Sequence, residues 1–165
     1  MTRERLIILM GSKSDLSFAS QIGAFLAEEG FRIQCEYGVA SAHRTPEMLL
    51  EKMRKNEMSG DNLVYVTVAG LSDALSGVVA GFTKYPVLAC PPDIDKSGWT
   101  KAFSSFMTPK GVPVLLVSSP ENAALAAARI LALANPSLGA EIEGYVKKKK
   151  EEVVQADREV AGGKV

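Results

Sequence analysis

The sequence contains one histidine, and its neighbours make it a candidate acid–base residue. His43 lies between Ser41 and Arg44, directly before a predicted helix start. An imidazole, with an unperturbed pKa of about 6.5, can accept and return a proton near neutral pH. An arginine beside it can hold a phosphate through two hydrogen bonds. These residue types indicate proton transfer on a small phosphorylated metabolite; the alternative is that His43 is structural.

A second candidate site is the turn after the first apolar segment. Leu6–Met10 is a run of five apolar residues ended by Gly11, which predicts a buried strand of a parallel sheet. Ser12, Ser14 and Asp15 follow where a helix should begin, and hydroxyls and free backbone N–H groups at such a position can bind an anion. The turn is therefore a candidate phosphate site; the alternative is that Ser14 or Asp15 only caps the helix.

Spacing excludes several other chemistries. The sequence has no GxxxxGK[ST] and no GxGxxG run, so it lacks a nucleoside triphosphate loop and a dinucleotide fingerprint. Ser72 lies in a stretch that faintly resembles a hydrolase nucleophile turn, but in such hydrolases the histidine follows the serine, and here it precedes it. One histidine and two separated cysteines make no usual zinc set, so no metal is expected. A phospho-receiver domain would need acidic residues after the first and third strands, where this chain has Gly11-Ser12 and Ala69-Gly70.

Periodicity predicts strands that alternate with helices. Four buried strands and one half-exposed strand near a sheet edge are predicted, the latter at 31–37 and the others at 6–10, 63–68, 86–90 and 112–117. Helices are predicted at 16–29, 46–58, 74–82, 99–107, 122–134 and 137–160. Gly30 is placed to end the first helix, and Thr45 to cap the second. This order predicts a doubly wound α/β fold with an open parallel sheet.

Ligands of such sheets bind beyond the carboxyl ends of the strands. That rule brings residues 12–15, 41–44, 69–72 and 90–92 to one edge. Small residues dominate the third of these segments and the helix after it, which allows close approach by a ligand or another helix; they are Gly70, Ser72, Ala74, Ser76, Gly77, Ala80 and Gly81.

Composition limits the class of protein. The 165 residues, 47% of them hydrophobic, predict one domain spanning 1–165, with a core at about 5–135 and a helical extension at about 137–160. Cys35 and Cys90 lie in apolar segments without CxxC spacing, which indicates buried, non-catalytic thiols in a reducing compartment. A net charge of zero and an N-terminus without a long apolar run predict a cytoplasmic protein that binds neither nucleic acid nor membrane.

Two C-terminal segments suggest contacts between subunits. The helix predicted at 122–134 has alanine on nearly every side, so burial on more than one face is expected. The last helix carries Lys147–Lys150 followed by Glu151 and Glu152. Because acidic residues adjoin the basic run, we favour a solvated helix that packs on a neighbouring subunit over a nucleic-acid contact.

Four motifs, in order, resemble the PurE family of purine biosynthesis. They are GSKSD at 11–15, SAHRTP at 41–46, Ala-Gly at 69–70 and MTPKGVPV at 107–114. The resemblance covers about residues 5 to 135 and implies a flavodoxin-like, three-layer fold and a homo-oligomer, an octamer or otherwise a tetramer. It further implies a cofactor-free enzyme acting on 5-aminoimidazole ribonucleotide.

The same resemblance implies roles for individual residues. Ser12, Asp15, Ser41 and Arg44 would hold the ribose and its phosphate, with Ser14 as a further hydroxyl of that turn. Ala69-Gly70 would lie along the imidazole, Ser72 would bound a CO2 pocket, and His43 would be the acid–base residue.

The family has two classes. Class I rearranges N5-carboxyaminoimidazole ribonucleotide, whereas class II carboxylates aminoimidazole ribonucleotide directly with CO2. The runs at 72–77, 89–92 and 121–125 resemble the class II pattern, with Asp73 where class II has Asn and Leu71 where it often has Arg. We therefore expect a class II carboxylase; the alternatives are the class I mutase and a non-catalytic phosphometabolite-binding module.

Overall fold

A parallel five-stranded sheet forms the centre of the molecule. The computed structural model describes residues 2–92, 94 and 102–163. The strands are β1 (Glu4–Met10), β2 (Gln34–Val39), β3 (Asn62–Val68), β4 (Val87–Ala89) and β5 (Leu115–Leu116), in the spatial order β2-β1-β3-β4-β5. All pairings are parallel, with Leu6 opposite both Cys35 and Val64. This is the flavodoxin-like strand order, as the sequence predicts.

Helices cover both faces of the sheet. They are α1 (Leu16–Glu28, preceded by a 3-10 turn at Lys13–Asp15), α2 (Pro46–Glu57), α3 (Ala74–Phe82), α4 (Phe103–Phe106), α5 (Pro120–Ala132) and α6 (Pro136–Ala161). Alternate residues of β1 divide the core: Leu6 and Ile8 pack with α1, α5 and α6, and Ile7 and Leu9 pack with α2 and α3. The fold therefore has the expected three layers.

Several element boundaries follow the sequence signals closely. Helix α3 has the predicted bounds, and Gly30 ends α1 in the left-handed region with φ 78°. Strand β2 lies at the sheet edge, as its alternating pattern predicts, and most of its residues are half-buried or exposed. By contrast, β2 begins and ends later in the chain than predicted, and β4 and β5 are shorter than predicted.

The prediction for β2 was wrong at its start, because Phe31 is hydrogen-bonded to the last turn of α1 and is not part of the strand. The Phe31 N–H donates to the carbonyl of Leu26 at 2.8 Å, and the Phe31 ring packs near those of Phe25 and Tyr145.

The prediction for β5 was wrong at both ends. Pro113 has no N–H to give to a ladder, and only Leu115–Leu116 pairs with β4 at this edge.

The fourth helix is shorter than its prediction. Of the predicted helix at 99–107, the described part forms α4 over Phe103–Phe106, while residues 99–101 lie outside the described residues. Residues 93 and 95–98, which precede this predicted helix, also lie outside them. The loop after α4 packs on the small-residue face of α3, where a side chain in place of Gly77 would contact the methyl group of Thr108.

The alanines of α5 are covered within the subunit. Ala123, Ala124, Ala127 and Ala128 are fully buried in the core shared with α1 and α6, so their burial does not require a partner subunit. Helix α6 buries Leu138 and Ile142 in the same core, but every residue from 150 to 163 is exposed. Within the described part of the chain, no helix is long and apolar enough to cross a bilayer.

Candidate active site

A cleft of about 640 Å³ opens at the carboxyl ends of β1, β2 and β3. Its size is typical of small-molecule sites. The lining includes all nine residues proposed from the sequence, which are Ser12, Ser14, Asp15, Ser41, His43, Arg44, Ala69, Gly70 and Ser72. The sheet explains why: the chain leaves β1 and β3 in the crevice where the strand order reverses.

The turn after β1 is fixed by reciprocal capping. The Ser12 N–H donates to the Asp15 carboxylate at 3.1 Å, and the Ser12 hydroxyl accepts from the Ser14 N–H at 3.3 Å. Ser12 therefore caps the 3-10 turn, whereas Asp15 occupies the N-cap position of α1 without a side-chain capping bond, and Ser14 is not a cap. The Ser12 hydroxyl also accepts from the Ser14 hydroxyl at 2.9 Å, so its own proton is left to donate to an anion in the cleft.

The turn after β2 closes on itself before α2 begins. The Thr45 hydroxyl accepts from the Ser41 N–H at 3.0 Å and donates to the Ser41 carbonyl at 3.3 Å. Thr45 occupies the predicted N-cap position of α2, but its hydroxyl makes no capping bond to that helix. The predicted position of the cap is therefore right, and the predicted side-chain bond is absent. The closed turn leaves the side chains of His43 and Arg44 exposed at the cleft.

His43 lies at the cleft surface and not in the core. It is exposed, lines the cleft, and makes no hydrogen bond to any part of the chain that the structure describes. Arg44, next to it, supplies a cation at the same wall. The arrangement places a group that can exchange protons beside a group that can bind a phosphate.

The turn after β3 contains a residue in a strained backbone conformation. Leu71 has φ 57°, the left-handed region that a leucine rarely adopts, and its side chain is 77% exposed. The buried Asp73 caps α3 by accepting from the Ser76 N–H at 3.0 Å. Ser72 lies between these two residues and is exposed at the cleft.

Five further lining residues were not proposed as site residues: Gly11, Ala42, Leu71, Ala74 and Leu75. Ala42 and Leu71 lie within the segments that the strand-end rule brings to this edge, and Gly11 directly precedes one of those segments. The conformation of Leu71 has no sequence signal, because leucine disfavours positive φ. Asp73 did carry a signal, since an acidic residue directly before an apolar helix is a common N-cap.

The two cysteines are unsuited to nucleophilic chemistry. Burial raises the pKa of Cys90 to about 12 and that of Cys35 to about 11, so both thiols stay protonated at neutral pH. Among the described residues, no three His, Cys, Asp or Glu side chains converge as a metal-binding group. Among the described residues, the polar side chains that line the cleft are those of the serines, Asp15, His43 and Arg44.

The model of one protein family, described as AIR carboxylase, matches residues 5–152. The chain belongs to the AIR carboxylase family. This confirms the PurE resemblance. A crystal structure of Treponema denticola PurE aligns with a TM-score of 0.90 at 36% identity, covering 95% of this chain and 98% of that one. The flavodoxin-like fold is thereby confirmed.

Curated members of the AIR carboxylase family carry two different names. The phosphoribosylaminoimidazole carboxylase of Archaeoglobus fulgidus is 43% identical over 94% of this chain and 84% of its own length. The N5-carboxyaminoimidazole ribonucleotide mutase of Methanocaldococcus jannaschii is 40% identical over 94% of this chain and 96% of its own length. Both names describe enzymes, and each corresponds to one of the two activities expected from the sequence.

Proposed function

We propose that this AIR carboxylase family member carboxylates 5-aminoimidazole ribonucleotide at C4 with CO2, giving 4-carboxy-5-aminoimidazole ribonucleotide in de novo purine biosynthesis. The observation that carries the proposal is the single cleft that unites His43, Arg44 and the serine turn after β1. The names of the carboxylases from A. fulgidus and T. denticola support the same activity.

The phosphoribosyl group binds between the first two turns. Arg44 and the hydroxyls of Ser12 and Ser41 contact the phosphate and ribose, and Ser14 extends the hydroxyl surface. Asp15 accepts hydrogen bonds from ribose hydroxyls. The imidazole lies along Ala69-Gly70, where the buried Ala69 and the half-buried Gly70 leave room for a flat ring.

The chemistry needs a nucleophilic carbon, CO2 and a base. The aminoimidazole ring is an enamine, so its C4 attacks the carbon of CO2 when the two are held together away from water. The new C–C bond leaves C4 with both a carboxylate and a proton. His43 takes that proton, the C–H electron pair restores the aromatic ring, and the reverse sequence decarboxylates the product. No electron donor or nucleotide is consumed.

The turn at 71–73 bounds the CO2 side of the cleft. Ser72 is exposed there beside the apolar side chain of Leu71, which reduces the access of water to the reacting carbon. The class II-like run begins at this turn and continues into α3. Apart from Asp73, the run at 72–77 resembles the class II pattern, and this resemblance supports the carboxylase over the mutase.

The mutase is the second candidate because the M. jannaschii relative carries that name. Both activities need the same phosphoribosyl site and the same proton transfer at C4. The mutase would differ in first releasing CO2 from the N5-carboxylate, within the same cleft.

One pair of assays separates the candidates. The enzyme is given aminoimidazole ribonucleotide with bicarbonate and no ATP, or N5-carboxyaminoimidazole ribonucleotide, and the absorbance of the C4-carboxylated product is followed. Fast turnover only with the first substrate is expected. Fast turnover only with the second would establish the mutase, and turnover of neither would favour a binding module.

We also propose that the enzyme works in the cytoplasm as a homo-oligomer, an octamer or otherwise a tetramer. The support is the projecting half of α6, whose exposed residues include the apolar side chains of Val153, Val154 and Val160. A neighbouring subunit would cover them. Light scattering coupled to gel filtration checks this, since a monomer at micromolar concentration would contradict it.

A further inference from the structure

Ser104 links the short helix α4 to the turn that bounds the cleft. Its hydroxyl accepts a hydrogen bond from the Asp73 N–H at 2.9 Å and donates a longer one to the Leu71 carbonyl at 3.5 Å. Ser104 is 31 and 33 residues away from these partners in sequence. The Ser104 hydroxyl thus bonds to the backbone of both residues that flank the exposed Ser72.

The turn needs such support because Leu71 is strained. A non-glycine residue at φ 57° carries an energetic cost relative to the right-handed region. The side chain does not repay that cost through burial, since it is 77% exposed. Strained residues persist where neighbouring groups hold them, and they concentrate at functional sites.

The other side of the turn is anchored in the sheet. Asp73 hydrogen-bonds the hydroxyl of the fully buried Ser76, which lies 2.7 Å from the hydroxyl of Thr67 on β3. Thr67 in turn donates to the Leu88 carbonyl of β4 at 3.2 Å. Asp73 is therefore held from the sheet through its side chain and from α4 through its N–H, whereas Leu71 is held from α4.

We propose that Ser104 is a positioning residue for the CO2 side of the active site. It acts by holding Leu71 in its left-handed conformation and thereby aiming Ser72 into the cleft. This inference rests on the proposed carboxylase function for its kinetic consequence, but the contact itself can be tested without catalysis.

Ser105 provides a matched control within the same helix. Its hydroxyl is fully buried and has no hydrogen-bond partner among the residues that the structure describes, so Ser105→Ala removes an oxygen that makes no bond to the turn. Ser104→Ala removes an oxygen that makes two bonds to the turn. Ser104→Thr keeps a hydroxyl at the same position and serves as the conservative variant.

The first experiment measures amide hydrogen exchange of the full-length unliganded protein over residues 71–74. Ser104→Ala is expected to speed exchange of the Asp73 amide by about tenfold, because a protecting bond is lost. Ser105→Ala should leave the exchange rate unchanged. Equal exchange in wild type and Ser104→Ala would overturn the proposal, even if the enzyme proved not to be a carboxylase.

The second experiment compares KM values for the two substrates. Ser104→Ala is expected to raise the KM for CO2 by about tenfold and to change the KM for aminoimidazole ribonucleotide less than about twofold. Ser104→Thr should restore most of the CO2 affinity, and Ser105→Ala should resemble wild type. An unchanged KM for CO2, or an equal effect of Ser105→Ala, would overturn the proposal; an inactive wild-type enzyme would instead overturn the proposed function.

Discussion

The backbone N–H of Arg44 donates a hydrogen bond to the Ser41 hydroxyl at 3.2 Å. The turn that carries His43 is therefore closed by its own serine, and two proposed phosphate contacts belong to one rigid unit. The guanidinium of Arg44 stays exposed at the cleft while its backbone is fixed. This pre-organisation is what a phosphate site requires, because less freedom is lost on binding.

Replacing Arg44 should weaken substrate binding more than it slows chemistry. We expect Arg44→Ala to raise the KM for aminoimidazole ribonucleotide at least about tenfold with kcat within about threefold, since the lost charge contacts the phosphate in ground and transition states alike. Arg44→Lys should fall between. Steady-state kinetics check this, with Arg54→Ala as control, because Arg54 stacks over Phe82 outside the cleft lining. An unchanged KM would remove Arg44 from the phosphate site.

Asp73 should tolerate the residue that class II enzymes usually have. Asp73→Asn keeps an acceptor for the Ser76 N–H and can still bond the Ser76 hydroxyl, so we expect its thermal stability to stay near wild type. Asp73→Ala loses the cap and should cost about 1–2 kcal/mol of unfolding free energy. Chemical denaturation measures both. Equal stability of the two variants would show that the cap contributes nothing.

Arg5 should stabilise the opposite end of the sheet from the cleft. It joins β1 to β2 through two 2.8 Å bonds to Glu36, and its side chain is only 8% exposed. We expect Arg5→Met to cost about 2 kcal/mol, less than a fully buried pair because Glu36 is half-exposed. Arg32→Met, which breaks an exposed pair with Glu141, should cost under about 1 kcal/mol. Denaturation midpoints that rank the two variants the other way would contradict this.

The same pair predicts a pH dependence. The hydrogen bond from Arg5 lowers the pKa of Glu36, so the pair's contribution is fully present above the unfolded pKa of a glutamate, about 4.3, and is lost as the pH falls through the lowered value. The Tm difference between wild type and Arg5→Met should therefore shrink from pH 7 to pH 3. A difference that is constant over this range would show that the ion pair is not its cause.

Much of the fold was predictable because its signals are local. Gly30 ends α1 because a positive φ suits glycine, and the alternation in β2 reflects a strand at the edge. The failures are tertiary. Phe31 looks like a strand residue, but its ring completes an aromatic contact with Tyr145, which lies more than a hundred residues later in the chain. No local pattern carries that information.

In the active site, too, the features with local sequence signals were predictable and those that depend on tertiary contacts were not. Strand ends and the one histidine were enough to gather nine of the lining residues, because a parallel sheet brings all its carboxyl ends to one edge. The support behind the cleft could not be predicted. The bonds of Ser104 to Leu71 and Asp73 depend on how a four-residue helix packs on α3, which no periodicity records.

The most direct test of the account is the rate of C4 carboxylation by His43→Asn at saturating aminoimidazole ribonucleotide and CO2. If His43 moves the C4 proton, this rate should fall by at least about a hundredfold while the Kd for aminoimidazole ribonucleotide, measured by calorimetry, stays within about threefold of wild type. A rate within about threefold of wild type would contradict the central claim that this imidazole is the acid–base residue.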